Sequence, residues 1–137
     1  MSIPFRVVER IAQPGQAGGA TKFYAQSHTR GVMDIAYLTT RIEQISTVSG
    51  ADIRAVLYAL VDVIPEALGN GQIIEIGELG RFRVSISSNG EATAEEVNRN
   101  SIRGSKILFR PGKRLQTLLK TLEFNKENPP PALDGTA

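Results

Sequence analysis

The stretch Lys106 to Lys120, K-I-L-F-R-P-G-K-R-L-Q-T-L-L-K, carries Lys106, Arg110, Lys113, Arg114 and Lys120 and no acidic residue. It divides at Pro111. The β-branched and aromatic residues of Lys106 to Arg110 predict a short strand. Pro111 suits the first helical position, where its missing N–H costs nothing, and it holds Arg110 extended. Leu115, Leu118, Leu119 and Leu122 then recur at i, i+3, i+4 and i+7, one face of an amphipathic helix. A helix starting at Pro111 leaves the N–H groups of Gly112 and Lys113 unpaired among cationic side chains, which is an arrangement for binding phosphate. The same residues also fit a basic helix cap that only keeps the domain soluble.

Upstream, Gln72 to Ile76 predicts a strand, and G-E-L-G at Gly77 to Gly80 turns the chain into a second strand, Arg81 to Ile86. Alternation puts Phe82, Val84 and Ile86 on one face and Arg81, Arg83 and Ser85 on the other. Two arginines on an outer face suit a phosphate backbone, and equally a solvated sheet. Ser87 to Ser105 is polar, contains Asn89-Gly90 and lacks an apolar period, so it is expected to be a long hairpin arm or a mobile loop.

Further upstream lie two helices. Asp34 is a plausible N-cap for the first, with Ile35, Leu38, Ile42 and Ile45 at helical spacing. Ser49 followed by Asp52 resembles a capping box for the second. Ile53, Val56, Leu57, Leu60, Val61, Ile64 and Leu68 give that helix an apolar stripe wider than one short partner requires. Pro65 interrupts its hydrogen-bond ladder, and Gly69, Asn70 and Gly71 supply the stop. Residues 3 to 11 and 22 to 30 predict strands joined by a Pro, Gly and Ala loop at 13 to 21, a long-looped β-hairpin. Beyond Phe124 the composition is that of a disordered tail.

A chain of 137 residues is the length of one domain with appendages. Zero cysteines exclude disulfides, thiolate catalysis and zinc–cysteine sites, and a single histidine, His28, leaves little for a metal cluster or a Ser-His pair. No apolar run reaches membrane-spanning length and the first residues lack a secretory core, so a cytoplasmic location is the expectation. Charge is unevenly spread. Residues 1 to 33 hold four basic and one acidic residue, 34 to 71 two and five, 72 to 122 nine and five, and the remainder one and three. Such polarity favours an anionic partner for one face, although ordinary surface scatter produces similar counts.

The order helix, turn, helix, G-x-L-G-x-F strand pair, long arm, strand, F-x-x-G-K, helix resembles the histone-like HU and integration host factor family. The resemblance rests on Leu79, Gly80 and Phe82, on Phe109, Gly112 and Lys113, and on Leu38, Ile42, Ser49 and Leu57 in the helical hairpin, and it covers about residues 33 to 122. The N-terminal hairpin resembles the extended HU-related subgroup. This implies an α+β fold: an HU-like core at 33–124, made of a helical hairpin, a three-stranded antiparallel sheet with a β arm and a C-terminal helix. A β-hairpin extension at 1–32 precedes it and a disordered tail at 125–137 follows. The family is one of intertwined homodimers whose arms embrace double-stranded DNA in the minor groove, and HU is a standard example of that binding mode.

The resemblance therefore implies a nucleoid-associated DNA-binding protein without cofactor, metal or enzymatic activity. It places Arg81 and Arg83 on the saddle, Lys106 and Arg110 on the returning strand, and Gly112, Lys113 and Arg114 at a phosphate-holding helix start. The arm departs from the family pattern. Glu91, Glu95 and Glu96 oppose a negative groove, no proline is present to enter a base step, and only Arg99 and Arg103 serve the arm. That argues against intercalation and strong bending. It keeps open an HU-like structural or interaction module with weak DNA binding, and a protein partner could pair with the N-terminal hairpin's strand edge. No recognition helix is evident, so little sequence specificity is expected.

Overall fold

The computed structural model describes residues 1–11 and 19–127 and shows a mixed α+β chain that divides into two compact units, Met33–Leu119 and the two terminal segments.

In the larger unit, α1 (Ile35–Ile45) starts where Asp34 Oδ1 accepts from the Tyr37 N–H at 2.9 Å, and α2 (Gly50–Gly69) starts where Ser49 Oγ accepts from the Asp52 N–H at 3.3 Å. Each acceptor satisfies one of the orphan donors of a first helical turn. The two helices pack as a hairpin around Thr39, which is 1% exposed and whose hydroxyl donates to the Ile35 carbonyl at 2.7 Å. Pro65 lies inside α2, which continues past it for another turn. Gly71, at φ +78°, ends the helix: its N–H donates to Leu68 and that of Gln72 to Ala67, each at 3.0 Å. This double bond is a Schellman stop, and the left-handed conformation it needs is what glycine provides.

An antiparallel sheet follows, ordered β3 (Ile74–Ile76), β4 (Gly80–Ser88), β5 (Ile102–Pro111). Its register pairs Ile74 with Phe82 and Phe82 with Phe109, whose rings stand 4.9 Å apart, so these side chains share one face. Fully buried apolar residues in the chain are few, Ile53 and Leu68 among the described residues. Much of the α2 stripe is uncovered, Val56 being 65% and Val61 56% exposed.

Two expectations need correction here, the length of β5 and the place of Pro111, and of the two readings of 87 to 105 the hairpin arm is the one observed. β5 is longer than the strand expected at Lys106 to Arg110, because ladder hydrogen bonds extend through Ser105 and Gly104 without any apolar side chain. The stretch from 87 to 105 is thus a paired arm. Its tip is built: 3-10 turns at Ala94–Glu96 and Arg99–Ser101 fold under it, and Ser101 is 2% exposed. Pro111 closes β5 opposite Gly80, and α3 (Lys113–Thr121) begins two residues later. Gly112 is its cap, since the Gln116 N–H donates to the Gly112 carbonyl at 2.9 Å.

The smaller unit is a three-stranded sheet ordered β2 (Thr21–Ser27), β1 (Ser2–Ile11), β6 (Glu123–Lys126). β1 pairs antiparallel with β2, giving the expected hairpin, and parallel with β6. The segment from 125 where a disordered tail was expected to begin is therefore strand at first. Backbone bonding holds it: the Glu127 N–H donates to the Phe5 carbonyl at 2.9 Å, and the Glu127 carboxylate lies 2.9 Å from His28 Nδ1. Most of the loop expected at 13 to 21, and the rest of the tail, lie outside the described residues.

Candidate nucleic-acid interface

Directly opposite residues of an antiparallel pair project on the same side of a sheet. The β4–β5 register pairs Arg81 with Arg110, Arg83 with Leu108 and Ser85 with Lys106. Four cations therefore share the face opposite Phe82 and Phe109. Like charges directly across a ladder destabilise it. Part of that repulsion is relieved on β3: Glu75 is the register partner of Arg81, and its Oε1 lies 3.2 Å from Arg81 Nη2. Arg83, Lys106 and Arg110 have no ion pair among the described residues. A depression of about 550 Å³, lined by Ile73, Arg81, Arg83, Leu108, Phe109 and Arg110, opens where the arginines meet.

A second depression, of about 520 Å³, joins this face to the start of α3; Arg81, Arg110, Gly112 and Lys113 line it together with Glu75 and Glu78. Here the expected phosphate-holding amide is corrected. The Gly112 N–H donates to the Leu79 carbonyl at 2.9 Å and is not available to a ligand. Glycine is required at 112 for another reason, since any Cβ would collide with the Glu78 backbone carbonyl. Gly80 is similar, at φ +150° with the Arg110 carbonyl and the Phe109 ring in the way of a side chain. These two glycines let the β3–β4 turn sit against the end of β5, which brings the basic face and the helix start to one depression.

Arg114 also differs from a simple phosphate ligand, because its Nε lies 3.5 Å from Glu78 Oε2. Both partners are well exposed, so the pair is worth little. Lys113 has no ion pair among the described residues.

The arm cations lie apart from this group. Arg103 is the extra residue of a bulge, since Ser87 pairs with Gly104 and Ser88 with Ile102. Arg99 belongs to the last turn of the tip. In that turn Ser101 Oγ donates to Glu91 Oε1 at 2.8 Å and accepts from the Asn98 N–H at 3.2 Å, while Asn98 Oδ1 accepts from the Asn100 N–H at 2.8 Å. Glu91 thus has a structural task as well as a charge.

Sequence reasoning missed Glu75 and Glu78 as partners of Arg81 and Arg114. Alternation along β3 sets Glu75 on the face opposite Ile74 and Ile76, and the register adds that Arg81 stands beside it.

A family model described as an HU domain fused to a winged helix-turn-helix, Ig or glycine-rich motif (HU-HIG) matches residues 1–126. The chain belongs to this HU-HIG family. The HU-HIG match takes in the N-terminal strands and β6 as well as the segment from 33 to 122 that carried the resemblance. Among solved structures, the fold is similar to that of a protein from Bacteroides vulgatus ATCC 8482 described as a "putative bacterial DNA binding protein", with a TM-score of 0.61 and 16% identity. The alignment covers 93% of this chain and 50% of that one, so the chain spans half the length of that relative. No curated protein matches the sequence. No helix among the described residues is long and apolar enough to cross a membrane.

Proposed function

We propose that this HU-HIG chain is an architectural, nucleoid-associated DNA-binding protein that engages duplex DNA through phosphate neutralisation with little base specificity. The observation that carries the reading is the Arg81 and Arg110 cross-strand pair with Arg83 and Lys106 on the same face. A protein keeps like charges opposed where an anion is to be held between them, and a lattice of phosphates is such an anion. Lys113 at the adjoining helix start extends the cationic surface.

The working form in this proposal is a homodimer. Val56, Leu60, Val61 and Val63 of α2 and Val84, Ile107 and Phe109 of the sheet are all exposed in one copy. Covering an aliphatic side chain of this kind stabilises by about 1.5–3 kcal/mol, and a second copy offers the matching surface. In this reading the DNA-binding unit is Met33–Leu119, and the terminal segments are its extension.

The test compares the unaltered chain with the double variant Arg83→Glu, Arg110→Glu on a labelled duplex. The reading expects affinity to fall by at least an order of magnitude for unrelated sequences alike. Equal binding by the two proteins overturns it.

A second reading has its own support, in the acidic tip. Glu91, Glu95 and Glu96 sit on a folded arm end, which suits an interaction module with weak DNA binding. Under it the duplex would bind poorly even before mutation.

A further inference from the structure

The terminal sheet has a basic face of its own. The β1–β2 register pairs Arg6 with Gln26, Val8 with Tyr24 and Arg10 with Lys22, so these six side chains share one side. Arg10 and Lys22 are like charges placed directly opposite, the same unfavourable pairing seen at Arg81 and Arg110. Arg6, Arg10 and Lys22 are exposed and have no ion pair among the described residues. The acids of this sheet do not neutralise them. Glu9 pairs with Phe23 on the opposite face, Glu123 is level with Ser2 at the far end, and Glu127 is engaged with His28.

Arg10, with Lys22 opposite it, stands four residue rises beyond Arg6, a span of about 13 Å along β1. Tyr24 lies between them in the register and is 44% exposed. It helps line a depression of about 390 Å³ with Val8, Arg10, Ile11, Ala25 and Gln26.

We propose that this face, Arg6, Arg10, Lys22 and Tyr24, is a second contact surface for duplex DNA. The cations pair with phosphates along one backbone, and the tyrosine ring lays its apolar body against the sugar edge with its hydroxyl toward solvent or phosphate. Charge complementarity selects the partner: three unpaired cations on one side of a sheet fit a polyanion with regularly spaced charges. The inference stands apart from the reading of the β4–β5 face, and each can fail without the other.

The chain has no tryptophan, so Tyr24→Trp gives a unique fluorescent reporter in the otherwise unaltered chain. At low salt a 20-base-pair duplex should change the emission of the introduced indole. The change should persist when Arg83→Glu and Arg110→Glu are added, because the reporter reads only its own face. Charge reversal at Arg6, Arg10 and Lys22 should flatten the log–log salt dependence of binding by about 0.9 for each phosphate no longer neutralised. Indole emission that ignores the duplex overturns the proposal, as does an equal response to polyglutamate, which would make the face a site for acidic protein. A response to a 20-nucleotide single strand but not to the duplex overturns the assignment to duplex DNA.

Discussion

Arg81 and Arg110 stand directly opposite each other across β4 and β5, and Glu75 on β3 compensates only the first. The face is therefore electrostatically unfinished. Replacing Arg110 by alanine should leave thermal stability unchanged or raise it by up to about 1 kcal/mol, because the repulsion disappears. The same variant should bind duplex DNA more weakly and with a shallower salt dependence. Thermal unfolding alongside anisotropy titration checks both, and a loss of stability with intact binding would show the pair to be structural.

Glu75→Gln makes the complementary case. Removing that carboxylate frees Arg81 and deletes a negative charge from the proposed contact face. Exposed pairs of this kind are worth at most ~1 kcal/mol, so affinity should rise by up to about fivefold. A decrease would mean that Glu75 positions Arg81 for binding.

Gly112→Ala should destabilise the larger unit by about 1–3 kcal/mol, since the new methyl meets the Glu78 carbonyl and the β3–β4 turn must move. Urea unfolding measures this directly. Gly90→Ala, where a methyl would meet open space, is the control and should change stability little.

Ser101→Ala removes a buried hydroxyl that both donates to Glu91 and accepts from Asn98. Leaving the Asn98 N–H without that acceptor costs about 1–3 kcal/mol where the group stays dry. The cost should be local: faster amide exchange at residues 89 to 101 with the melting temperature of the helical hairpin little changed. Uniform loss of protection across the chain would contradict a separately folded tip.

Much of this was readable from side-chain pattern. Asp34 and Ser49 cap the helices they were expected to cap, and the alternation of Phe82 with Arg81 and Arg83 matches the two faces of β4. What pattern did not reveal depended on partners distant in sequence. Pro111 suits a helix start and a strand end equally by its φ, and the choice is made by Gly80 across the ladder. The Gly112 amide looked unpaired because its acceptor, Leu79, is thirty-three residues earlier. β6 was hidden similarly: E-F-N-K has little strand character of its own, and β1, at the other end of the chain, supplies its bonds.

Homodimerisation makes a separate prediction. Val61→Glu puts a charge on the exposed stripe of α2, and sedimentation should then show monomer at concentrations where the unaltered chain is a dimer. The unaltered chain should also melt at a temperature that rises with its concentration. A concentration-independent melt, with both proteins monomeric, would remove the dimer from the proposal.

The measurement closest to the central claim is the affinity of the unaltered chain for a short duplex across a range of salt concentrations, repeated with an unrelated sequence. With about six phosphates engaged per dimer by the β4–β5 face, that face alone should contribute a log–log slope near −5, at ~0.9 per phosphate, and the same for both duplexes. Absence of binding at low salt, or an affinity that does not respond to salt, would contradict the assignment of Arg81, Arg83, Lys106 and Arg110 to a DNA backbone.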